Sequence, residues 1–267
     1  MHDGIIVEPG TKVRLKDRPA DAKLGLPEKE ATRAETIELG DRLAELGGLL
    51  AAGRSHGVLV VIQGMDASGK DGTVRQCIGP LNPSSVNVTS FKAPTSIELA
   101  HDFLWRIHGV CPRKGEFAIF NRSHYEDVLV VRVDELVPKR QWEKRYDAIN
   151  AFEKNLVDEG TLVIKFFLHM SKDEQAVQMQ QRLDDPTKNW KYNADDLRKR
   201  EQWDDYMTAY EAMLERTSTP WAPWHVVPAN RKWVRNFVVS EVLVEALEGL
   251  KMKWPVLDPA IRRTKIV

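Results

Sequence analysis

Five short apolar runs, each separated from the next by a helix-length polar segment, constrain this chain more than any other feature: VLVVIQ at 58–63, SVNVTSF at 85–91, EFAIFN at 116–121, TLVIKFFLH at 161–169 and WHVVPA at 224–229. Parallel strands need a crossover connection, so strands alternating with helices build a parallel sheet with helices on both faces. The expected fold is therefore α/β, a five-stranded parallel sheet flanked by helices. Ahead of the first run, residues 35–52 place Ile37, Leu39, Leu43, Leu46, Leu49 and Leu50 at helical spacing, an amphipathic helix leading into the sheet. Between the fourth and fifth runs lies a long polar stretch of helical period, broken near Asp185-Pro186. It is too long for a plain crossover and reads as a helical lid inserted over the sheet. The expected organisation is an N-terminal extension and helix at 1–56, a core at 57–170, the lid at 171–215, and core completion with a C-terminal helix and basic tail at 216–267. Within the extension, residues 1–34 mix Pro, Gly and charge and read as a wrap over the surface.

Directly after the first run, Gly64-Met65-Asp66-Ala67-Ser68-Gly69-Lys70 satisfies G-x-x-x-x-G-K between a strand and a helix, the context of a phosphate-binding P-loop. The two glycines let the backbone fold back so that N–H groups face an anion, and the helix start adds partial positive charge. Ala67, Ser68, Gly69, Asp71 and Gly72 join Gly64 and Lys70 as phosphate-binding candidates, with Lys70 a point charge for bridging oxygens. Position 71 is Asp where a magnesium-ligating Ser or Thr is usual. Asp66, inside the loop, would repel bare phosphate unless a divalent cation lay between them. It either holds such a metal or orients an attacking oxygen, and the residues leave both roles open.

The third run ends in Phe117-Ala-Ile-Phe-Asn121-Arg122-Ser-His-Tyr-Glu126-Asp127. Ligand sites in open parallel sheets lie beyond the carboxyl ends of the strands, which sets Asn121 and Arg122 beside the glycine loop. Arg122 is a candidate phosphate clamp. Glu126 and Asp127 could restore the charge that Asn121, in a position often held by Asp, lacks. Lys+Arg and Asp+Glu are equal at 39 each, so no overall field draws the chain to nucleic acid or an anionic membrane, and any polyanion site must be local. Phosphoryl transfer needs cations converging on the cradle. Lys92, Arg182, Lys188, Lys191, Arg231 and Lys232 are candidates, and Trp190 in the lid is a candidate neighbour of a nucleobase. The other tryptophans, and Cys77 and Cys111, read as packing residues. His124 reads as a structural hydrogen-bonding residue near the site. No run approaches the roughly 18 apolar residues of a membrane span. The start of the chain shows no apolar signal core, and two unpaired cysteines suit a reducing compartment. A cytoplasmic protein is expected.

Four motifs in order, GMDASGKDGT, FNRSHYEDV, LDDPTKNWK and VPANRKW, together resemble the family-2 polyphosphate kinases over about residues 35–255. That resemblance implies a P-loop kinase fold with a helical lid, magnesium as cofactor, and reversible transfer of the terminal phosphoryl of inorganic polyphosphate to a nucleotide in a homodimer or homotetramer. Many members carry an Asp-Arg-Ser-Trp-Tyr-Asn segment. Here it reads Asn121-Arg122-Ser123-His124-Tyr125-Glu126, which is similar to the class III subgroup that phosphorylates AMP and ADP to ADP and ATP. By the same resemblance Asp66, Lys70, Arg122 and Glu126 are the catalytic set, with Asp66 and Glu126 toward the metal. Lys92, Arg182 and Arg231 would serve phosphate, and Asn121, Asp127, Lys188 and Trp190 the nucleotide side. The P-loop alone is equally compatible with an ATP-dependent kinase of a nucleoside or small metabolite, and more remotely with a nucleotide-binding switch.

Overall fold

The computed structural model describes residues 4–192, 195–258 and 261, apart from the side chain of Lys191. The sheet contains β1 (Ile6–Val7), β2 (Gly57–Gln63), β3 (Val86–Ser90), β4 (Phe117–Asn121), β5 (Thr161–His169) and β6 (Trp224–Pro228), in the order β1-β6-β5-β2-β4-β3. The five strands expected from the apolar runs are present and mutually parallel, with Val60 opposite Ile119 on one side and Ile164 on the other. One expectation is corrected: the sheet has six strands rather than five. The sixth, β1, runs antiparallel to β6, pairing Ile6 with His225 and Val7 with Trp224. A two-residue strand in a Pro/Gly-rich segment offers no period, so alternation could not reveal it.

The helical segments follow as α1 (Lys29–Gly53), α2 (Lys70–Thr73), α3 (Ser96–Leu99), α4 (Trp105–His108), α5 (Val130–Val133), α6 (Lys139–Asp158), α7 (Lys172–Asp184), α8 (Asp195–Glu201), α9 (Trp203–Thr217) and α10 (Lys232–Gly249). β2, fully buried from Gly57 to Gln63, is central and covered on both faces, which explains its unbroken apolar run. Its Val58, Val60 and Ile62 face a core built with Leu43 and Leu50 of α1 and Val238 and Leu243 of α10. Leu59 and Val61 face the opposite core, with Tyr146 and Ile149 of α6 and Tyr210 and Met213 of α9. Helix α1 starts at Lys29, earlier than its apolar stripe suggests, because residues 29–36 are mostly good helix formers with a polar surface.

Two details position the segment above the sheet. Ser171 caps α7 by accepting from Glu174 N–H, and α7 stops at Asp184 because Pro186 forces Asp185 into an extended conformation. The chain start is tied down beside it: Val13 N–H and Leu15 N–H donate to the carboxylates of Glu215 and Glu211 on α9, each at 2.8 Å. Ile5, Val7, Val13 and Leu15 are buried, so the wrap contributes to the core. Among the described residues no helix is long and apolar enough to cross a membrane.

Candidate active site

The carboxyl end of β2 runs directly into the glycine loop. At Gly64, with φ of 153°, an added Cβ would lie 2.8 Å from the Leu168 carbonyl oxygen. At Gly69, with φ of 95°, it would lie 1.9 Å from Nη1 of Arg235. Both positions therefore demand glycine on backbone conformation and on space. Ala67 between them also takes a left-handed conformation, φ 68°, without that freedom, a local strain typical of ligand-gripping loops.

Lys70 is buried and donates to the carbonyls of Gly64 at 2.7 Å and Met65 at 3.0 Å. Burial, reinforced by nearby Arg122 and opposed by Asp66, lowers its pKa to about 8. Burial would raise the carboxyl of Asp66, but Lys70, Arg122 and Lys199 outweigh it and hold that group at about 2. Asp66 is thus an ionised carboxylate between cations. Arg122 donates to its Oδ1, and Lys199 of α8 lies 3.4 Å from its Oδ2. Gln175 of α7 donates to its backbone carbonyl at 2.9 Å.

From β4, the neighbouring parallel strand, Asn121 donates its side-chain amide to Asp71 at 2.7 Å. Arg122 takes a left-handed backbone, φ 62°, while its N–H donates to the Ile62 carbonyl at 3.1 Å. This bend aims the guanidinium between Asp66 and Glu126, the latter at 3.8 Å. Beneath it, buried Gln63 donates to Ser123 Oγ, which also accepts from Tyr125 N–H. Deeper still, Lys165 of β5 donates to Glu153 of α6 at 2.7 Å, and Glu153 also accepts from the Tyr125 hydroxyl at 2.7 Å and lies 3.3 Å from His124 Nε2. His124 is wholly buried and takes the structural place expected for it.

These elements open on one cavity of about 1280 Å3 beyond the carboxyl ends of the strands. Its wall carries ten Lys or Arg side chains against five carboxylates, on a chain whose formal net charge is zero. Of the residues singled out in the sequence, Asp66, Ala67, Gly69, Lys70, Asp71, Gly72, Lys92, Asn121, Arg122, Arg182, Lys188 and Trp190 line it. Gly64 and Ser68 lie buried behind the loop. Trp190 is 78% exposed, its indole N–H donating to the Thr187 carbonyl. Three candidates are not brought to the wall. Arg231 donates its Nε to the Asp21 carbonyl at 3.0 Å, while adjacent Lys232 lines the cavity instead. Asp127 is paired with Arg145 at 2.9 Å, yet burial outweighs that partner and lifts its carboxyl to about 6. Glu126 reaches the site through Arg122. The side chain of Lys191, another candidate, lies outside the described residues.

Among the wall residues that escaped the sequence reading are Lys199, Asp196 and Arg235. Lys199 and Asp196 stand in a charge-rich stretch, DDLRKRE, that looks like any solvated helix, and Arg235 has no motif spacing from the loop it touches. For a metal, no group of three carboxylates, histidines or cysteines gathers at ligating distance among the described residues. The ionised, cavity-lining Asp66 offers a hard oxygen donor, and one carboxylate supplemented by substrate phosphates is a donor set that magnesium accepts.

A glycine loop closed by a buried lysine at the end of a central parallel strand, an arginine from the adjacent strand and a cationic cavity define a P-loop kinase, an enzyme that moves phosphoryl groups. The family model for polyphosphate kinase 2 (PPK2) matches residues 27–255. The chain is 53% identical over 262 residues to the AMP/ADP-polyphosphate phosphotransferase of Meiothermus ruber, covering 98% of this chain and 97% of that protein. It is 46% identical over 235 residues to the ADP-polyphosphate phosphotransferase of Rhodopseudomonas palustris, covering 84% and 81% respectively. The crystal structure of polyphosphate kinase 2 from Arthrobacter aurescens TC1 superposes with a TM-score of 0.92 at 42% identity, over 96% of this chain and 93% of that one. This chain is a member of the polyphosphate kinase 2 family.

Proposed function

We propose that this enzyme transfers the terminal phosphoryl of inorganic polyphosphate to AMP and to ADP, reversibly and with magnesium, as a cytoplasmic homodimer or homotetramer. The observation that carries the reading is the cavity wall itself: a twofold excess of cationic over acidic side chains around a P-loop, on an otherwise neutral chain. Such a wall suits a long polyanion. The 53% identity to a relative named for polyphosphate transfer to AMP and ADP supports the same donor and acceptors.

In this reading the loop amides and Lys70 hold the donor's terminal phosphates. Lys70 exchanges the Gly64 and Met65 carbonyls for phosphate oxygens. Arg122 stabilises charge on the transferring phosphoryl, a role that electrostatic positioning can fill without any covalent intermediate. Glu126 sets the orientation of Arg122, and Asp66 supplies the carboxylate that would hold magnesium, with Glu126 a less direct contributor. Magnesium, when bound, would supply positive charge that offsets that of the phosphates. Of the lid expected at 171–215, α7 and α8 face the cavity and exclude water as a competing acceptor, while α9 packs into the core. Lys92 and Arg182 contribute to the phosphate track, Asn121 holds Asp71 in place, and Lys188 and Trp190 flank the acceptor.

The test is a coupled assay of purified protein with magnesium and long-chain polyphosphate, offering AMP, ADP or no nucleotide. The expected outcome is ADP and then ATP from AMP. ATP from ADP alone would remove AMP as an acceptor. Transfer from ATP to a small acceptor, with polyphosphate inert, would replace the proposed donor.

A further inference from the structure

Arg235 is the fourth residue of α10, at the close of its first turn, and is only 3% exposed. Its guanidinium rests against the glycine loop. Nη1 donates to the Ser68 carbonyl at 3.4 Å, and Nη2 lies 3.4 Å from where a Cβ at Gly72 would stand. The remaining partner is the neutral side-chain oxygen of Asn236, which accepts from Nε at 3.1 Å and from Nη2 at 2.8 Å. Among the described residues no carboxylate pairs with this cation. Burial lowers its pKa, and the Cys77 thiol is the group that opposes the shift. A like charge stands close by: Lys232, itself a wall residue, is lowered by burial and then by Arg235, with Glu174 opposing the shift and Lys188 adding to it.

A buried guanidinium without a counter-charge is costly, and proteins retain such groups when something else supplies the anion. Here the side chain lines the cavity between Gly69 and Lys232. Its planar fork suits phosphate oxygens, and Gly69 leaves it just enough room to reach the loop. The topology gives it a side. In the order β6-β5-β2-β4, the element after β6 meets the loop from the flank opposite the β4 end that carries Arg122.

We propose that Arg235 is a phosphate ligand for the polyphosphate donor, gripping it from the flank opposite Arg122, with the donor chain itself supplying the missing counter-charge. This deepens the functional reading above and rests on it. The donor then passes over Arg235 and Lys232, and the acceptor nucleotide enters on the Arg122 side. Gly69 acquires a second reason for being glycine, since a methyl group there would displace the guanidinium as well as strain the turn.

The test is steady-state kinetics of Arg235→Gln with polyphosphate and AMP varied separately. The expected result is a rise of at least about tenfold in KM for polyphosphate with KM for AMP changed less than about twofold, the loss of one charge-assisted contact. Arg235→Lys, which keeps charge and loses the fork, should show a smaller rise in the same KM and serves as the test should the glutamine variant not fold. An unchanged KM for polyphosphate, or equal changes in both KM values, would overturn the proposal. A wild-type protein that transfers nothing from polyphosphate would fail one step earlier, sinking the functional reading and this inference together.

Discussion

Lys70 and Asp66 are both displaced downward from their ordinary titration ranges, which weakens the charge of the lysine and secures that of the aspartate. With its pKa lowered to about 8, Lys70 in the free enzyme loses its charge as pH rises through that value. Because kcat/KM reports the free enzyme's ionisations, kcat/KM for polyphosphate should fall above about pH 8. A profile from pH 6 to 10 that stays flat on the alkaline side would remove Lys70 as the charged grip. Asp66, held at about 2, should contribute no acid limb above pH 4. Asp66→Asn should therefore lower kcat by at least about a hundredfold at every pH tested, consistent with loss of one preorganised electrostatic contact. Retention of more than a tenth of wild-type kcat would exclude the metal-side role. At Glu126, the class III resemblance and the contact with Arg122 lead to a narrower expectation. Glu126→Asn should reduce turnover of AMP more than that of ADP, as read from parallel assays with each acceptor. Equal losses would leave Glu126 a general support for Arg122.

At the scale of elements, the segment from β4 to residue 127 stands on a buried polar platform. Lys165, Glu153, Tyr125 and His124 are all fully buried and joined to one another beneath the bend that aims Arg122. Removing one charge leaves the other stranded, which typically costs about 3–5 kcal/mol, whereas replacing both with well-packed apolar residues costs far less. Lys165→Met alone and Glu153→Leu alone should each shift the urea midpoint sharply downward, and the double variant should recover much of the loss. Additive losses in the double variant would show that the pair is not the unit. This platform was only half visible in the sequence. The run TLVIKFFLH declares a strand, but a lysine in its middle gives no hint that it meets a glutamate on the helix before it. Strands β2, β4, β5 and β6 were legible because buried parallel strands read as largely apolar runs, and the half-exposed edge strand β3 because its valines recur at alternate positions. The glycine loop was legible because its geometry restricts which residues fit. Lys199 and Arg235 were not legible, since what brings them to the loop is tertiary packing, and their local sequence is that of ordinary helix.

For the molecule as a whole, charge balance conceals a polarised interior. A formal net charge of zero predicts no unusual salt response, but the cavity wall is twofold richer in cations than in acids. Screening shortens from about 10 Å at 0.1 M salt to about 3 Å at 1 M, so KM for polyphosphate should rise by at least about fivefold over that range. KM for AMP, a smaller anion, should rise less, and parallel responses would mean that the wall does not discriminate a long polyanion. The segment that wraps the surface has a role in the same picture. Its start pairs with β6, its Val13 and Leu15 amides are fastened to α9, and the Ala20 carbonyl accepts from Asn230 N–H just before α10. The far edge of the helical excursion is thereby stitched to the body of the protein by the opening stretch of the chain. On the proposed reading, in which α7 and α8 cover the cavity, that cover is sewn along one seam, and a fault in residues 5–20 would be felt as looseness above a site whose wall those residues do not line.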